Sequence, residues 1–354
     1  MKKITILLLL AILLLPGCTN EELIGRSGNM RDGELAQVNL RIDGAAMSDG
    51  LKSRSKASAE EAEIANLRVL IFDDRGAIVT NKKYSSDPGK SLRIETYSGS
   101  KRKFCIVANI SKDEIDRRLN DIASYGELEK VMATSAELGL GLNTPLPLVM
   151  TAIKEDVDIY PGTSTITEVV KLRFLVAKLT LRVVDATPAD EEVTISDWAI
   201  LDAPAGTYIF GSDVDANPNP EQDNKDEYWI TTGSHPFEEI DQVNKTSAQT
   251  VYLLENRRGG RVPKDLPGNP YDGMAVDDKD SKGKTWYRPK RATAIMINAI
   301  HTSSGTPNRV KIYIYLGEDN HSDYNIRRGY HYDFTVTVKG FNEIGVDTNV
   351  DYAP

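Results

Sequence analysis

Four histidines, two cysteines and several acidic clusters are the side chains of this 354-residue chain best suited to chemistry. His235, His301, His321 and His331 have no second ligand at a metal-like spacing, which predicts surface or hairpin positions for them. Asp213, Asp215, Asp223 and Asp226 offer the oxygen ligands that calcium takes, but the EF-hand spacing is absent and solvated loop carboxylates are expected. In "VKIYIY" the rings of Tyr313 and Tyr315 fall on one face of a strand pattern. They could stack on a sugar, or serve only as good strand residues. The sequence contains no H-E-x-x-H, G-x-S-x-G, Walker A or G-x-G-x-x-G pattern. "GLGL" at 139–142 has apolar neighbours and no phosphate-binding helix after it. Cys105 sits in the apolar run "KFCIVANI" and is expected to be a small buried hydrophobe. No catalytic, cofactor-binding or metal residue is assigned, and the reading is that the chain is not an enzyme.

Cys18 stands in a different context. Lys2 and Lys3 precede an unbroken apolar run, Ile4 to Leu15. That run is shorter than the roughly 20 residues that span a bilayer. It has the form of the apolar region of an export signal, which plays no part in the fold. The run ends in Leu15-Pro16-Gly17-Cys18, which resembles the lipobox of bacterial lipoproteins. That resemblance implies cleavage before Cys18 and acylation of its thiol. Each buried CH₂ of such a chain contributes about 0.8 kcal/mol of membrane attachment. Glu21 and Glu22 follow, and resemble the surface-export signal of lipoproteins in Bacteroidota-type bacteria.

Loss of residues 1–17 removes Lys2 and Lys3 and no acidic residue, taking the net charge from −9 to −11. A net acidic chain argues against a nucleic-acid partner. With Cys18 acylated, Cys105 has no partner for an intramolecular disulfide. The length suggests two domains.

The rest of the chain is strand text. Val38, Leu40 and Ile42 alternate with Asn39, Arg41 and Asp43, which marks a half-buried strand. Residues 45–63 lose all periodicity and are expected to form an exposed, mobile loop. Leu67 to Phe72, the turn Asp74-Arg75-Gly76, and Ile78-Val79 form a hairpin. Two more strands flank Ser98-Gly99-Ser100. Ile115, Leu119 and Ile122 recur at helical spacing, as do Leu128, Val131 and Met132, so short helices are expected over 112–142. "STITEVVKLRFLVAKLTLRVVD" is long enough to end one domain and open another near Ala177. In the second half, 211–227 and 259–285 are long polar loops between strands such as "RVKIYIYLG" and "GYHYDFTVTVKG". After Lys339 only "GFNEIGVDTNVDYAP" remains, and it shows little apolar alternation. Short strands with turn signals and few helices indicate antiparallel β-sandwiches.

Several stretches together resemble the fimbrillin superfamily of Bacteroidota, the subunits of type V pili. They are the lipobox, "IANLRVLIFDDRGAIV", "FCIVANI", "VVKLRFLVAKLTLRV" with Arg173, Ala177 and Lys178, "YLLENRRG", and residues 310–340. The resemblance implies two transthyretin-like β-sandwich domains in tandem, 35–177 and 178–354, after a signal at 1–17 and a tether at 18–34. It also implies a mechanism. The lipid on Cys18 holds the precursor at the outer membrane. An arginine-specific protease cuts the loop after the first strand, here between Arg54 and Ser55. Loss of that strand opens a groove that a strand of another pilus subunit fills. A tail unable to donate a strand suits the tip of the pilus, where a host protein or glycan ligand would be met. Shaft subunit, lipidated basal anchor and a non-polymerising glycan-binding lipoprotein are the alternatives.

Overall fold

The computed structural model describes residues 32–44, 58–85, 91–189, 191–210, 229–230, 235–236, 246–263, 271–279, 285–319, 322–340 and 343–352. The chain is mainly β, and two sandwiches account for most of it. Cys18, Arg54, Ser55, His321 and the aspartates of 213–226 lie outside the described residues.

The first sandwich uses eight strands: β1 (Leu35–Asp43), β2 (Asn66–Phe72), β3 (Ile78–Ser85), β4 (Ser91–Tyr97), β5 (Gly99–Ala108), β6 (Met150–Ile159), β7 (Gly162–Lys171) and β8 (Arg173–Phe174). One sheet has the order β3-β2-β5-β6-β8 and the other β4-β1-β7. Side chains of both sheets share one buried cluster that includes Leu40, Ile94, Val69, Phe104 and Met150. The β2–β3 hairpin turns as expected. The Asp73 carboxylate accepts the N–H groups of Arg75 (3.0 Å) and Ala77 (2.8 Å), and Gly76 takes φ +80°, where a Cβ would be strained.

Three short helices, α1 (Asp113–Asn120), α2 (Tyr125–Leu128) and α3 (Ser135–Leu138), lie between β5 and β6. The helical period is borne out in Ile115 and Leu119, both buried on α1. Asp116 of α1 bonds the buried Arg68 of β2 at 3.0 Å and Lys83 of β3 at 2.9 Å. These bonds dock the helix on the sheet. Gly139 of "GLGL" is the left-handed C-cap of α3, and that accounts for the motif.

The second sandwich uses β9 (Ala177–Asp185), β10 (Glu191–Leu201), β11 (His235–Pro236), β12 (Thr246–Leu253), β13 (Ala294–Ser303), β14 (Thr306–Tyr315), β15 (Tyr330–Gly340) and β16 (Glu343–Tyr352). Its sheets run β12-β9-β15-β16 and β11-β10-β13-β14. Leu181, Trp198, Ile297, Ile314 and Phe334 are buried between them. The buried clusters change over between Val176 and Ala177, although Ile209, Phe210, Tyr252 and Leu254 belong to the first.

Two expectations are corrected and one is narrowed. His301 and His331 fall on the hairpins β13–β14 and β15–β16, one of the two positions expected, but both are buried, and Nε2 of His331 lies 2.9 Å from Thr180 Oγ1. Residues 343–352 pair antiparallel with β15 along their whole length, so the tail is a strand. The end of the supposed free loop, Ser58 to Ala62, is an ordered turn with Glu61 buried inside it. Among the described residues no helix is long and apolar enough to cross a membrane.

Cys105 is fully buried on β5, and burial pushes its thiol up to about 12. It is expected to resist a disulfide reagent at pH 8 in the native protein and to react on unfolding, as a thiol-release absorbance assay would register. Reaction at a free-cysteine rate in the folded chain would contradict this placement.

Candidate functional site

β1 is held unlike any other strand of the first sandwich. It lies between two partners of opposite direction, antiparallel to β4 from Leu35↔Tyr97 to Arg41↔Ser91 and parallel to β7 from Ala36↔Gly162 to Asp43↔Lys171. A bulge shifts the second register between Leu40 and Ile42. Alternation predicts one buried face, and Ala36, Val38, Leu40 and Ile42 form it, with the last three at most 1% exposed. Gln37, Asn39 and Arg41 look outward, and the Arg93 guanidinium bonds the Gln37 side chain. Two ladders and one apolar row therefore meet in nine residues.

The chain on either side of β1 is pinned by polar bonds. Upstream, Gly33 N donates to Ser98 O (3.1 Å), Ser98 N to Glu34 O (2.8 Å) and Glu34 N to Ser98 Oγ (3.0 Å). The buried Arg102 lies 3.7 Å from Asp32 and also bonds Ser98 O. Downstream, Ser58 and Glu61 cap each other: Ser58 N donates to Glu61 Oε2 (2.7 Å) and Glu61 N to Ser58 Oγ (3.1 Å). Glu61 is 3% exposed. Its carboxylate accepts from Lys178 Nζ on β9 at 2.8 Å and from the Tyr252 hydroxyl on β12. Its backbone O accepts from Leu148 N at 3.1 Å. Burial raises its pKa, but the bonds from Lys178, Tyr252 and Ser58 N and the charge of Lys178 outweigh that and hold it below the usual carboxylate value.

Asn109 completes the clamp. It follows Ala108 at the end of β5 and takes φ +67°, a conformation Asn tolerates. Its side chain accepts from Ala65 N (2.9 Å) and donates to Glu63 O and Leu148 O (both 2.8 Å). Residues 58–65 are thus fixed to the body of the molecule independently of β1.

Glu61 is the residue that reading by composition passed over. Its signal was present as Ser58-x-x-Glu61, the spacing of a capping box. The tyrosine platform fares differently. Tyr313 is 47% exposed on β14, but Tyr315 packs edge-on against Tyr324 (6.3 Å) with the Arg288 guanidinium 3.5 Å from its ring centre. The two rings do not form one open surface. Among the described residues no group of three or more His, Cys, Asp or Glu side chains stands close enough to hold a metal ion.

Comparison with known proteins gives two family-model matches. The model for the major fimbrial subunit protein (FimA) matches residues 36–197, and a domain of unknown function (DUF4906) matches 251–336. No curated protein matches the chain. Among solved structures, a protein assigned to cell adhesion from Parabacteroides distasonis ATCC 8503 aligns with 91% of this chain and 98% of its own, at 14% identity and TM-score 0.60. A fimbrilin from Porphyromonas gingivalis W83 covers 92% and 98% at 15% identity and TM-score 0.54. The tip fimbrial protein Mfa3 from Porphyromonas gingivalis, with a C-terminal truncation, covers 91% and 100% at 14% identity and TM-score 0.52. At these identities the structural likeness is one of fold.

Proposed function

This chain belongs to the fimbrillin superfamily, and from that premise we propose that it is a structural subunit of a cell-surface fimbrium, assembled by strand exchange at the place of β1. The observation that carries this reading is the double pairing of β1. Excision of a central strand leaves two facing ladder edges one strand-width apart and an apolar row open to water. Neighbouring strands are about 4.8 Å apart, so the gap takes one extended segment and no more. The occupant gains backbone bonds on both sides and buries alternate side chains in the places of Val38, Leu40 and Ile42.

The chain is exported as a lipoprotein, held at the outer membrane by acyl chains on Cys18, and released when an arginine-specific protease cuts between Arg54 and Ser55. The Glu61 and Asn109 clamps suit that cut, because they keep the new N-terminal segment in place. The two buried clusters act as two domains that meet at Ala177. The role is structural, with other pilus subunits as partners.

The expected tip position rested on a tail without a strand, and the paired β16 removes that ground. Ile344, Val346, Thr348, Val350 and Tyr352 occupy alternate positions of β16, the period of the buried row of β1. We therefore place the chain in the shaft, where it both receives a strand and donates β16.

The test is the N-terminus of protein taken from the cell surface, read by mass spectrometry. A start at Ser55 is expected, and Arg54→Ala should leave the chain uncut. An intact acylated Cys18 on fibre-borne protein would sink the processing scheme.

A further inference from the structure

We propose that the end of the β4-β1-β7 sheet bearing Tyr97 and Tyr160 seats the body of the next subunit, a second copy of this chain. The proposal rests on the strand-exchange reading and adds to it a docking surface outside the groove. Three observations carry it.

The first is direction. β1 runs parallel to β7 and antiparallel to β4, so its N-terminal end lies where Leu35 meets Tyr97 and Ala36 meets Gly162. A strand that keeps this direction enters with its own N-terminal end at the same place. β16 follows β15 after only a short link, so its molecule is attached on its N-terminal side. The donor's body must therefore stand at the Tyr97 end and not at the Asp43 end.

The second is exposure. Leu35 (76%), Tyr97 (46%) and Tyr160 (47%) are among the large apolar side chains left open to solvent. All three gather at that one end: Tyr97 is the partner of Leu35, and Tyr160 lies two residues before Gly162. Leu35 leaves with the excised segment, and the two tyrosines then flank the entrance. Single exposed apolar side chains are ordinary on a protein surface; it is the gathering of these at the groove entrance that a neighbouring body would cover.

The third is the set of backbone bonds upstream of the strand. Ser98 is fully buried, and its N–H, C=O and hydroxyl are engaged by Gly33 and Glu34. The bonds from Gly33 and Glu34 are lost with the excised segment, while Arg102 stays on Ser98 O. An incoming chain that remakes the lost bonds does so before its strand begins, which draws the link between strand and body in beside Tyr97.

The experiment uses the full chain, cut after Arg54 and separated from the fragment, as wild type and as Tyr97→Ser/Tyr160→Ser. A synthetic peptide of residues 36–43 reports on the groove alone, and light scattering of the cut chain reports on assembly. The double variant is expected to bind the peptide within about twofold of wild type and to assemble at least tenfold more slowly. Assembly at the wild-type rate would overturn the docking surface. Wild type that binds the peptide but forms no homopolymer would overturn the second copy as occupant. Wild type that fails to bind the peptide would overturn strand exchange itself, a separate failure.

Discussion

The chain cut after Arg54 and stripped of the fragment is expected to melt about 10–30 °C below the intact protein, and to recover when the β1 peptide is added. Val38, Leu40 and Ile42 are at most 1% exposed, and burying each contributes about 1.5–3 kcal/mol. The three together contribute roughly 5–9 kcal/mol, an upper value because the unfolded chain already buries some of this surface. A domain of this size shifts by about 2–4 °C per kcal/mol. Loss of the ladders to β4 and β7 adds to the effect. The peptide restores stability because it binds the folded state alone, so the gain grows with the logarithm of its concentration. A peptide with Asp in place of Leu40 should restore nothing, since the charge would have to enter a fully buried pocket. Calorimetry reads all three samples. A cut chain that melts with the intact one would mean that β1 is dispensable, and the groove would not exist as a binding site.

Much of this arrangement was legible in the chain because its signals are local. Val38, Leu40 and Ile42 alternate cleanly, and Ile115 and Leu119 share one helical face. The run from β7 through β9 shows its length and its apolar row. What stayed hidden is set at a distance. The partners of β1 on β7 lie more than a hundred residues away, and nothing local encodes a parallel register. His301 and His331 read as polar until the strands beside them are placed. β16 was missed for a different reason. Glu343, Gly345, Asp347, Asn349 and Asp351 are poor strand formers, and they alternate with the apolar positions and mask them. Pairing with β15 overrides that propensity. Glu61 was hidden by its company, since an acidic, alanine-rich stretch looks solvated by composition even where one carboxylate turns inward.

Glu61→Ala is expected to cost about 2–4 kcal/mol in a denaturant titration, the largest single-residue effect at the clamp. The substitution leaves the Lys178 ammonium and the Tyr252 hydroxyl without the carboxylate they share, and frees Ser58 N from its cap. Removing one partner of a buried pair costs about 3–5 kcal/mol, and Lys178 keeps a quarter of its side chain in water, which lowers that figure. A double-mutant cycle with Lys178→Ala should return a coupling of about 1–3 kcal/mol. Coupling near zero would show that the contact is incidental. The pH dependence has a definite sign. The folded pKa of Glu61 lies below its ordinary value of 4.5, so the unfolded chain takes up the proton first. The stabilisation is complete above pH 4.5 and disappears as pH falls through the folded value. Wild type and Glu61→Gln should therefore differ at pH 7 and converge on acidification. The same clamp joins the Ser58–Ala62 turn to β9 and β12 of the second sandwich.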